Sequence, residues 1–181
     1  MNAIQVLRDE HRNVERILNI VKAMDYKVLL DDKIDYDDFF IVIDCIRNYA
    51  DGIHHKKEED MLFKVMVNEL PLAIKKTIES GMLVEHDQGR FFVMELEKAV
   101  NAYKAGDDKK RLEIISNSMG YVSLLERHIN KEDNVVFKFG ENNLSKESIE
   151  KLNKEFSEVM LSQDSKKYID KIELLEKKYL A

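Results

Sequence analysis

Residues 54–63 read HHKKEEDMLF, and residues 128–137 read HINKEDNVVF. Both stretches follow one pattern, in which a histidine is followed at fixed distances by lysine, glutamate, a second acid, an apolar residue and phenylalanine. The histidine and the first matched glutamate are four residues apart, so a helix would place both on one face, one turn apart. A match of this length predicts two related helices, each with an imidazole and a carboxylate that point the same way.

The other two histidines of the pattern repeat as well. His11 and His86 each follow a glutamate. The separation of His11 from His86 along the chain equals the separation of His54 from His128 to within a single position. The chain therefore reads as two copies of a helix pair, each with one histidine and then one His-x-x-x-Glu. An ancient duplication or a shared site would each produce this arrangement.

The composition favours helices over strands. Of the 181 residues, 44% are hydrophobic and 35% are charged, with one proline and six glycines. This length suits one domain with a small appendage, and the chain is too apolar for disorder. A sandwich of many strands would need a turn about every ten residues, which so few turn residues do not supply. We therefore predict an all-α fold.

Turn signals divide the chain into four long helices and two shorter ones. Pro71 marks the start of the third helix, and Gly106 opens the turn before the fourth. The shorter helices read as an appendage that covers the bundle or mediates an oligomer contact. The predicted N-caps are Asp35, Ser145 and Ser165. The predicted ranges are 3–24, 35–69, 71–105, from the turn at 106–108 to 139, 145–162 and 165–179, with a polar stretch at 25–33.

Charge and apolar runs argue against some classes of function. The chain has 29 basic and 35 acidic residues, a net charge of -6, whereas nucleic-acid binding needs a concentrated basic face. The longest apolar run, residues 39–43, is far short of a membrane span, and acidic residues come too early for a signal peptide. Cys45, the single cysteine, is expected to be an inert core residue in a reducing compartment. We therefore expect a cytoplasmic protein with no nucleic-acid or membrane partner.

The spacing of the histidines around the turns favours one shared site. In an antiparallel bundle, two residues face each other when they are equally far from the connecting turn. His86 and His128 lie almost equally far from the turn at Gly106, and so do His54 and His86 from the turn at Pro71. In both cases the mismatch is two positions, which amounts to roughly 3 Å along a helix axis. Four imidazoles and two carboxylates can therefore meet at one height.

Six such groups in a bundle core need a bound cation. Unpaired buried carboxylates cost several kcal/mol or take up protons, and a cation removes that cost. Two cations fit better than one, because four nitrogen donors divide two and two while each glutamate spans a metal pair roughly 3.5–4 Å apart. Imidazole and carboxylate suit iron, manganese or zinc, and the lack of cysteine ligands argues against a structural zinc site. Open coordination positions would then bind a small molecule.

The combined pattern resembles the hemerythrin-like, or HHE cation-binding, domains. HHKKEEDMLF at 54–63, EHDQGR at 85–90, HINKEDNVVF at 128–137 and His11 carry the resemblance, which covers about residues 3–140. It implies an up-down-up-down antiparallel four-helix bundle over residues 1–140, with the two extra helices of residues 141–181 packed on the same domain. It also implies two iron ions (Fe2+/Fe3+) joined by an oxo, hydroxo or water bridge. The implied metal ligands are His11, His54, Glu58, His86, His128 and Glu132.

One departure from the family bears on function. Oxygen-carrying members have a fifth histidine one turn after the third-helix ligand, and Arg90 stands at that position here. The resemblance then implies a non-haem di-iron protein that binds or senses O2, or a related gaseous or peroxide ligand, at an open iron position. The alternative is an enzyme that turns over peroxide or nitric oxide, or an iron donor for iron–sulfur cluster repair. A metal-free interaction bundle is a third hypothesis, and a homo-oligomer is compatible with each of these.

Several neighbours of the expected ligands have two interpretations. His55 precedes Glu59 by four residues, but the repeat aligns Glu58 with Glu132 and so selects His54 as the ligand and His55 as a neighbour. Four acids either accept hydrogen bonds from the ligand imidazoles or are solvated charges. These acids are Glu10, Glu59, Glu85 and Asp133.

Two further residues near the expected site are ambiguous. Tyr121 lies two turns before His128 on the same face, where its hydroxyl could donate to a bound oxygen species, although core packing is the favoured interpretation. Gly89 either leaves room for a ligand or permits close helix packing, and the sequence does not separate the two.

Overall fold

A computed structural model of the chain describes residues 1–30 and 35–180. Within these residues the chain forms six long helices and no strand, so the all-α prediction is confirmed. A short 3-10 turn, Asp108–Lys110, precedes the fourth helix. No helix in this part of the chain is both long enough and apolar enough to span a bilayer. The helices are α1 (Ala3–Leu29), α2 (36–69), α3 (72–104), α4 (111–143), α5 (Lys146–Ser162) and α6 (Lys166–Tyr179).

Two predicted helix ends were wrong. Helix α1 continues to Leu29 instead of ending near residue 24, because Val28 is still buried against the core. Helix α4 continues to Asn143 instead of ending at residue 139. Gly140 is buried there against Met66, and its carbonyl still accepts from the Leu144 N–H at 3.0 Å. Part of the predicted polar stretch, residues 31–34, lies outside the described residues.

The predicted capping residues mostly act as caps. The Asp35 side chain accepts from the Asp38 N–H at the start of α2, and the Ser145 hydroxyl accepts from the Ser148 N–H at the start of α5. Ser165 precedes α6 as predicted, but its side chain makes no capping hydrogen bond. Gly106 ends α3 with a φ of 105°, a left-handed conformation that glycine adopts without steric cost.

Parts of three helices are wound as π-helix. These wider turns occur frequently at functional sites, and each one shifts the direction of the side chains that follow it. His54 and His55 lie at the end of one such segment, Glu58 begins the next, and Glu132 begins another. The segments are Ile46–His55 and Glu58–Leu62 in α2, Ile78–Met82 in α3 and Glu132–Val136 in α4.

Two apolar clusters fill the core, and the repeated motifs lie between them. Along α1 the first cluster ends at Leu7 and the second begins at Val14, with His11 between the two. Along α4 the clusters are separated by the residues between Ile129 and Val136. The same alternation in α2 and α3 produces one polar layer across the helices.

The two C-terminal helices contribute to these clusters. Helix α5 adds Leu152 and Phe156 to the cluster around Leu7, and helix α6 adds Tyr168 and Ile172 to the other. The division of the chain at residue 140 into a bundle and an extension stays a prediction.

Candidate metal centre

The six predicted donors form a buried cluster within the polar layer, each at most 1% exposed. Glu58 comes from α2, and its two oxygens face different histidines. Its Oε1 lies 3.3 Å from His54 Nε2 and 3.8 Å from His11 Nε2, while its Oε2 lies 3.5 Å from His86 Nε2. This carboxylate therefore lies between the two halves of the repeat.

Glu132, on α4, has the corresponding arrangement. Its Oε2 lies 3.1 Å from His128 Nε2 and 3.3 Å from His11 Nε2, and its Oε1 lies 4.0 Å from His86 Nε2. Each glutamate thus faces imidazoles of both repeats, as the sequence predicts for bridging carboxylates. The assignment of the six residues as metal ligands stays a prediction.

The donor atoms fall into two overlapping groups, each with its donor atoms within 4.8 Å of one another. One group contains His11, His54, Glu58 and Glu132; the other contains His55, Glu58, His86 and His128. In the second group, His86 Nε2 lies 3.0 Å from His128 Nε2. Two neighbouring ligands that each sit about 2.1 Å from one cation are separated by about this distance.

The cluster has more acceptors than donors. Both oxygens of Glu58 and of Glu132 are buried without a hydrogen-bond partner among the described residues, as are the Nε2 atoms of His11 and His54. Each unpaired buried polar atom costs about 1–3 kcal/mol, and more when it is charged. Bound cations would satisfy all of these atoms at once, and imidazole with carboxylate is a donor set that suits iron, manganese or zinc. The residues therefore fit a metal site.

A carboxylate supports the outer nitrogen of each histidine of the cluster. A carboxylate can only accept, so the Nδ1 carries the proton and the Nε2 lone pair is left to face the centre. All four acids that the sequence suggested take part. The pairs are Asp133 Oδ1 with His11 (2.8 Å), Glu10 Oε2 with His54 (3.2 Å), Glu59 Oε1 with His86 (2.7 Å) and Glu85 Oε2 with His128 (2.9 Å).

Each of these acids is in turn held by a basic side chain, which the sequence interpretation missed. The lysine of the repeated motif was a signal for two of them, because Lys57 and Lys131 are in register. The buried Lys57 binds Glu10, and Lys131 binds Glu85. The other two pairs are Arg12 with Asp133 and Arg90 with Glu59.

The charges of the centre attract positive charge. Burial lowers the pKa of His54, but the charge of Glu58, the hydrogen bond to Glu10 and the charge of Glu10 outweigh it and raise the pKa to about 10. The pKa of His128 is raised to about 10 in the same way, by Glu132 and Glu85 against burial. Burial, together with the neighbouring His55, lowers the pKa of His86.

His55 lies beside the cluster and stacks on His86. The two ring centroids are 3.9 Å apart and the ring planes differ by 16°. A metal lies in the plane of every imidazole that binds it, and planes so nearly parallel do not meet near the rings. His55 Nδ1 lies 3.4 Å from Asp51, which Arg90 also binds. The stacking therefore favours the predicted role of His55 as a neighbour, which stays a prediction.

A cavity of about 330 Å³ adjoins the centre on the His86 side. Gly89 and Tyr121, the two ambiguous residues of the sequence, both line it. A Cβ at Gly89 would lie 3.5 Å from Tyr121 Cε2 and 3.5 Å from Leu125 Cδ2, an ordinary contact distance. Close helix packing therefore does not by itself require a glycine at this position.

Comparison with known proteins supports a cation-binding site in this chain. The family model described as the hemerythrin HHE cation-binding domain matches residues 2–139, which is more than half of the chain. Neither the search of curated proteins nor the search of solved structures found a match.

Proposed function

Because the chain belongs to the hemerythrin HHE cation-binding family, we propose that it is a non-haem di-iron protein that binds or senses O2 or a related small molecule. In this proposal α1 to α4 form an up-down-up-down antiparallel bundle. His11 and His54 would hold one iron and His86 and His128 the other, with an oxo, hydroxo or water bridge between them. Glu58 and Glu132 would each contribute a carboxylate to both ions.

The observation that supports a metal pair most strongly is that Glu58 and Glu132 are buried without hydrogen-bond partners among the described residues. Both carboxylates are fully buried, all four oxygens lack a hydrogen-bond partner among the described residues, and each carboxylate faces histidines from both repeats. A single ion would leave part of this donor set unsatisfied. Two ions use all of it.

The side chains of this protein set up the chemistry around the ions. When bound, two ferrous ions supply two electrons to a small oxidant. The four carboxylates at the Nδ1 atoms fix the imidazole tautomers, and the paired basic residues hold those carboxylates in position. The apolar clusters on both sides of the layer exclude water from the donors.

Metal analysis tests the proposed site. Protein purified without oxygen should contain about two irons per chain, and the double variant His54→Ala, His128→Ala should contain almost none. Folding of the variant is checked by its helical circular dichroism. Equal iron in both proteins would refute the assigned donors, and a metal-free wild type would favour an interaction bundle.

Rapid mixing with oxygen separates binding from catalysis. We expect the reduced protein to give an adduct spectrum that reverses when the oxygen concentration is lowered. Immediate oxidation followed by multiple turnovers with peroxide or nitric oxide would instead support the enzyme alternative. Transfer of iron to a cluster-free iron–sulfur protein would support a repair role.

Location and partners are also part of the proposal. We place the protein in the cytoplasm, since its single cysteine, Cys45, is a buried free thiol. Its proposed partner is a small gaseous or peroxide ligand, with no nucleic acid or membrane involved. Association into a homo-oligomer is a prediction that light scattering would test.

A further inference from the structure

The cavity beside His86 has the features of a small-molecule site. We propose that the exogenous ligand of the metal pair binds in this cavity, on the His86 side of the centre, and accepts a hydrogen bond from the Tyr121 hydroxyl. The inference rests on the proposed function, because the ligand also needs a metal ion there. In this proposal the His86 half of the centre is the open one, and Tyr121 recognises the ligand.

The cavity is large enough for a small ligand and reaches the donor cluster. Its volume is about 330 Å³, and its lining includes both His86 and the His55 ring that stacks on it. Ile46, Gly89 and Val93 form an apolar part of the wall. A ligand bound to an ion at His86 would therefore extend into a space that is mostly apolar.

The Tyr121 hydroxyl is the unpaired donor of this lining. Tyr121 is 2% exposed, and its Oη is buried with no hydrogen-bond partner in the described part of the chain. Phenylalanine would pack equally well without a buried polar atom, so packing alone does not account for the hydroxyl. Tyr49 is the contrasting case, because its equally buried hydroxyl accepts from Asn13 Nδ2 at 2.8 Å.

The charged side chains around the cavity are already paired. Arg90 binds Asp51 and Glu59, and Arg47 makes two 2.7 Å hydrogen bonds to Glu97. The cavity therefore offers a bound molecule little net charge and one strong donor. These properties suit a small neutral or singly charged ligand with an acceptor atom, the class that includes O2, peroxide, nitric oxide and azide.

Azide is a suitable probe, because it binds ferric iron, gives a visible absorption band and accepts hydrogen bonds. We compare the wild type with Tyr121→Phe and Tyr49→Phe, each loaded with iron and oxidised. Loss of one hydrogen bond should weaken azide binding about fivefold in Tyr121→Phe. Tyr49→Phe removes an equally buried hydroxyl outside the cavity and should bind azide like the wild type.

Three further measurements distinguish recognition from a structural effect. Iron content and the spectrum without azide should be the same in all three proteins, and the melting temperature of Tyr121→Phe should be equal to or above that of the wild type. If the wild type holds no iron, the proposed function fails and this inference fails with it. If iron and the azide band are present but Tyr121→Phe binds azide like the wild type, only this inference is overturned.

Discussion

The two halves of the candidate centre, one with His11 and His54 and the other with His86 and His128, have equivalent groups around their donors. In the first half Glu10 accepts a hydrogen bond from His54 Nδ1, and in the second half Glu85 accepts one from His128 Nδ1. The other two histidines are also equivalent: Asp133 accepts a hydrogen bond from His11 Nδ1, and Glu59 accepts one from His86 Nδ1. The repeat therefore includes the donors, the acids behind them and the motif lysines that hold two of those acids.

The halves differ in what lies beside the donors. When the repeats are aligned on their histidines, Val14 of α1 corresponds to Gly89 of α3, and His55 of α2 corresponds to Ile129 of α4. The cavity is lined by Gly89, His55 and His86, and its lining does not include His11 or His54. Under the proposed function, the repeat would provide the binding of the cations, and its few mismatches would give a ligand access to one of them.

The largest expected effect concerns a residue that both halves share. Glu58→Ala should abolish the binding of both ions, because this carboxylate faces histidines of both halves. Glu59→Ala removes no predicted donor but takes away the support of His86 and one partner of Arg90, and loss of such a support typically lowers metal affinity about 10- to 100-fold. Iron content after dialysis against a weak chelator measures the difference. Equal losses would mean that the assigned register of the motif is wrong.

The supporting acids test whether the halves are equivalent. Glu10→Gln and Glu85→Gln should each lower metal affinity, by up to about 10- to 100-fold, since each replaces the charged partner of one ligand imidazole with a neutral amide. Their stability effects should differ. Lys57 is 1% exposed, so Glu10→Gln leaves a buried charge and should cost about 3 kcal/mol, whereas the half-exposed Lys131 limits Glu85→Gln to about 1 kcal/mol.

Chelator competition and urea unfolding measure these two quantities. A much larger affinity loss in one of the two variants would show that the metal sites are not equivalent. Equal stability losses would show that Gln163 Oε1, 3.3 Å from Lys57 Nζ, is a sufficient partner for the buried ammonium.

The halves also differ far from the donors, where Asp25 of α1 corresponds to Val100 of α3. Asp25 is 4% exposed and accepts from the Ser118 hydroxyl at 2.6 Å, and burial raises its pKa from 3.8 to about 7. The folded chain therefore binds more protons than the unfolded chain between about pH 4 and pH 7. Stability must fall as the pH rises through that window.

Asp25→Asn removes this titration. From pH 5 to pH 8 the free energy of unfolding of the wild type should fall by about 3 kcal/mol relative to that of the variant. Urea unfolding of both proteins at several pH values gives the difference, in which the other titrating groups cancel. Parallel curves would contradict the raised pKa and would leave Asp25 and Val100 as equivalent core positions.

The sequence was sufficient to predict the all-α fold and to select the six residues that the structure brings together in one buried cluster. It suggested the four acids behind them but did not separate that role from that of solvated charges. These features share one cause, because a repeated local pattern on a helix fixes which side chains point inward. The repeat even contained the lysines, whose role became clear only when Lys57 was found buried against Glu10.

Features that depend on tertiary packing could not be predicted in this way. Arg12 on α1 binds Asp133 on α4, and a surface-type arginine gives no local sign of so distant a partner. Helix α1 continues through a polar stretch because Val28 packs on the core, which outweighs the turn signals. The cavity depends on how the α2, α3 and α4 side chains meet, and neither Gly89 nor Tyr121 alone indicated it.

The smallest expected effect tests whether the mismatch at Gly89 opens the second half. Gly89→Val gives α3 the residue that α1 has at Val14. Its Cβ fits at ordinary contact distance, and because Gly89 lines the cavity, the added methyl groups should take up part of the cavity volume. Azide affinity should fall about twofold to fivefold, a change of roughly 0.5–1 kcal/mol, with iron content unchanged. Gly81→Val is the matched control, since it makes the same change in α3 at a position where an added Cβ would meet no neighbouring atom within 4 Å. If both variants bind azide like the wild type, the cavity is not the ligand's route, and the difference between the halves must act through His55 instead.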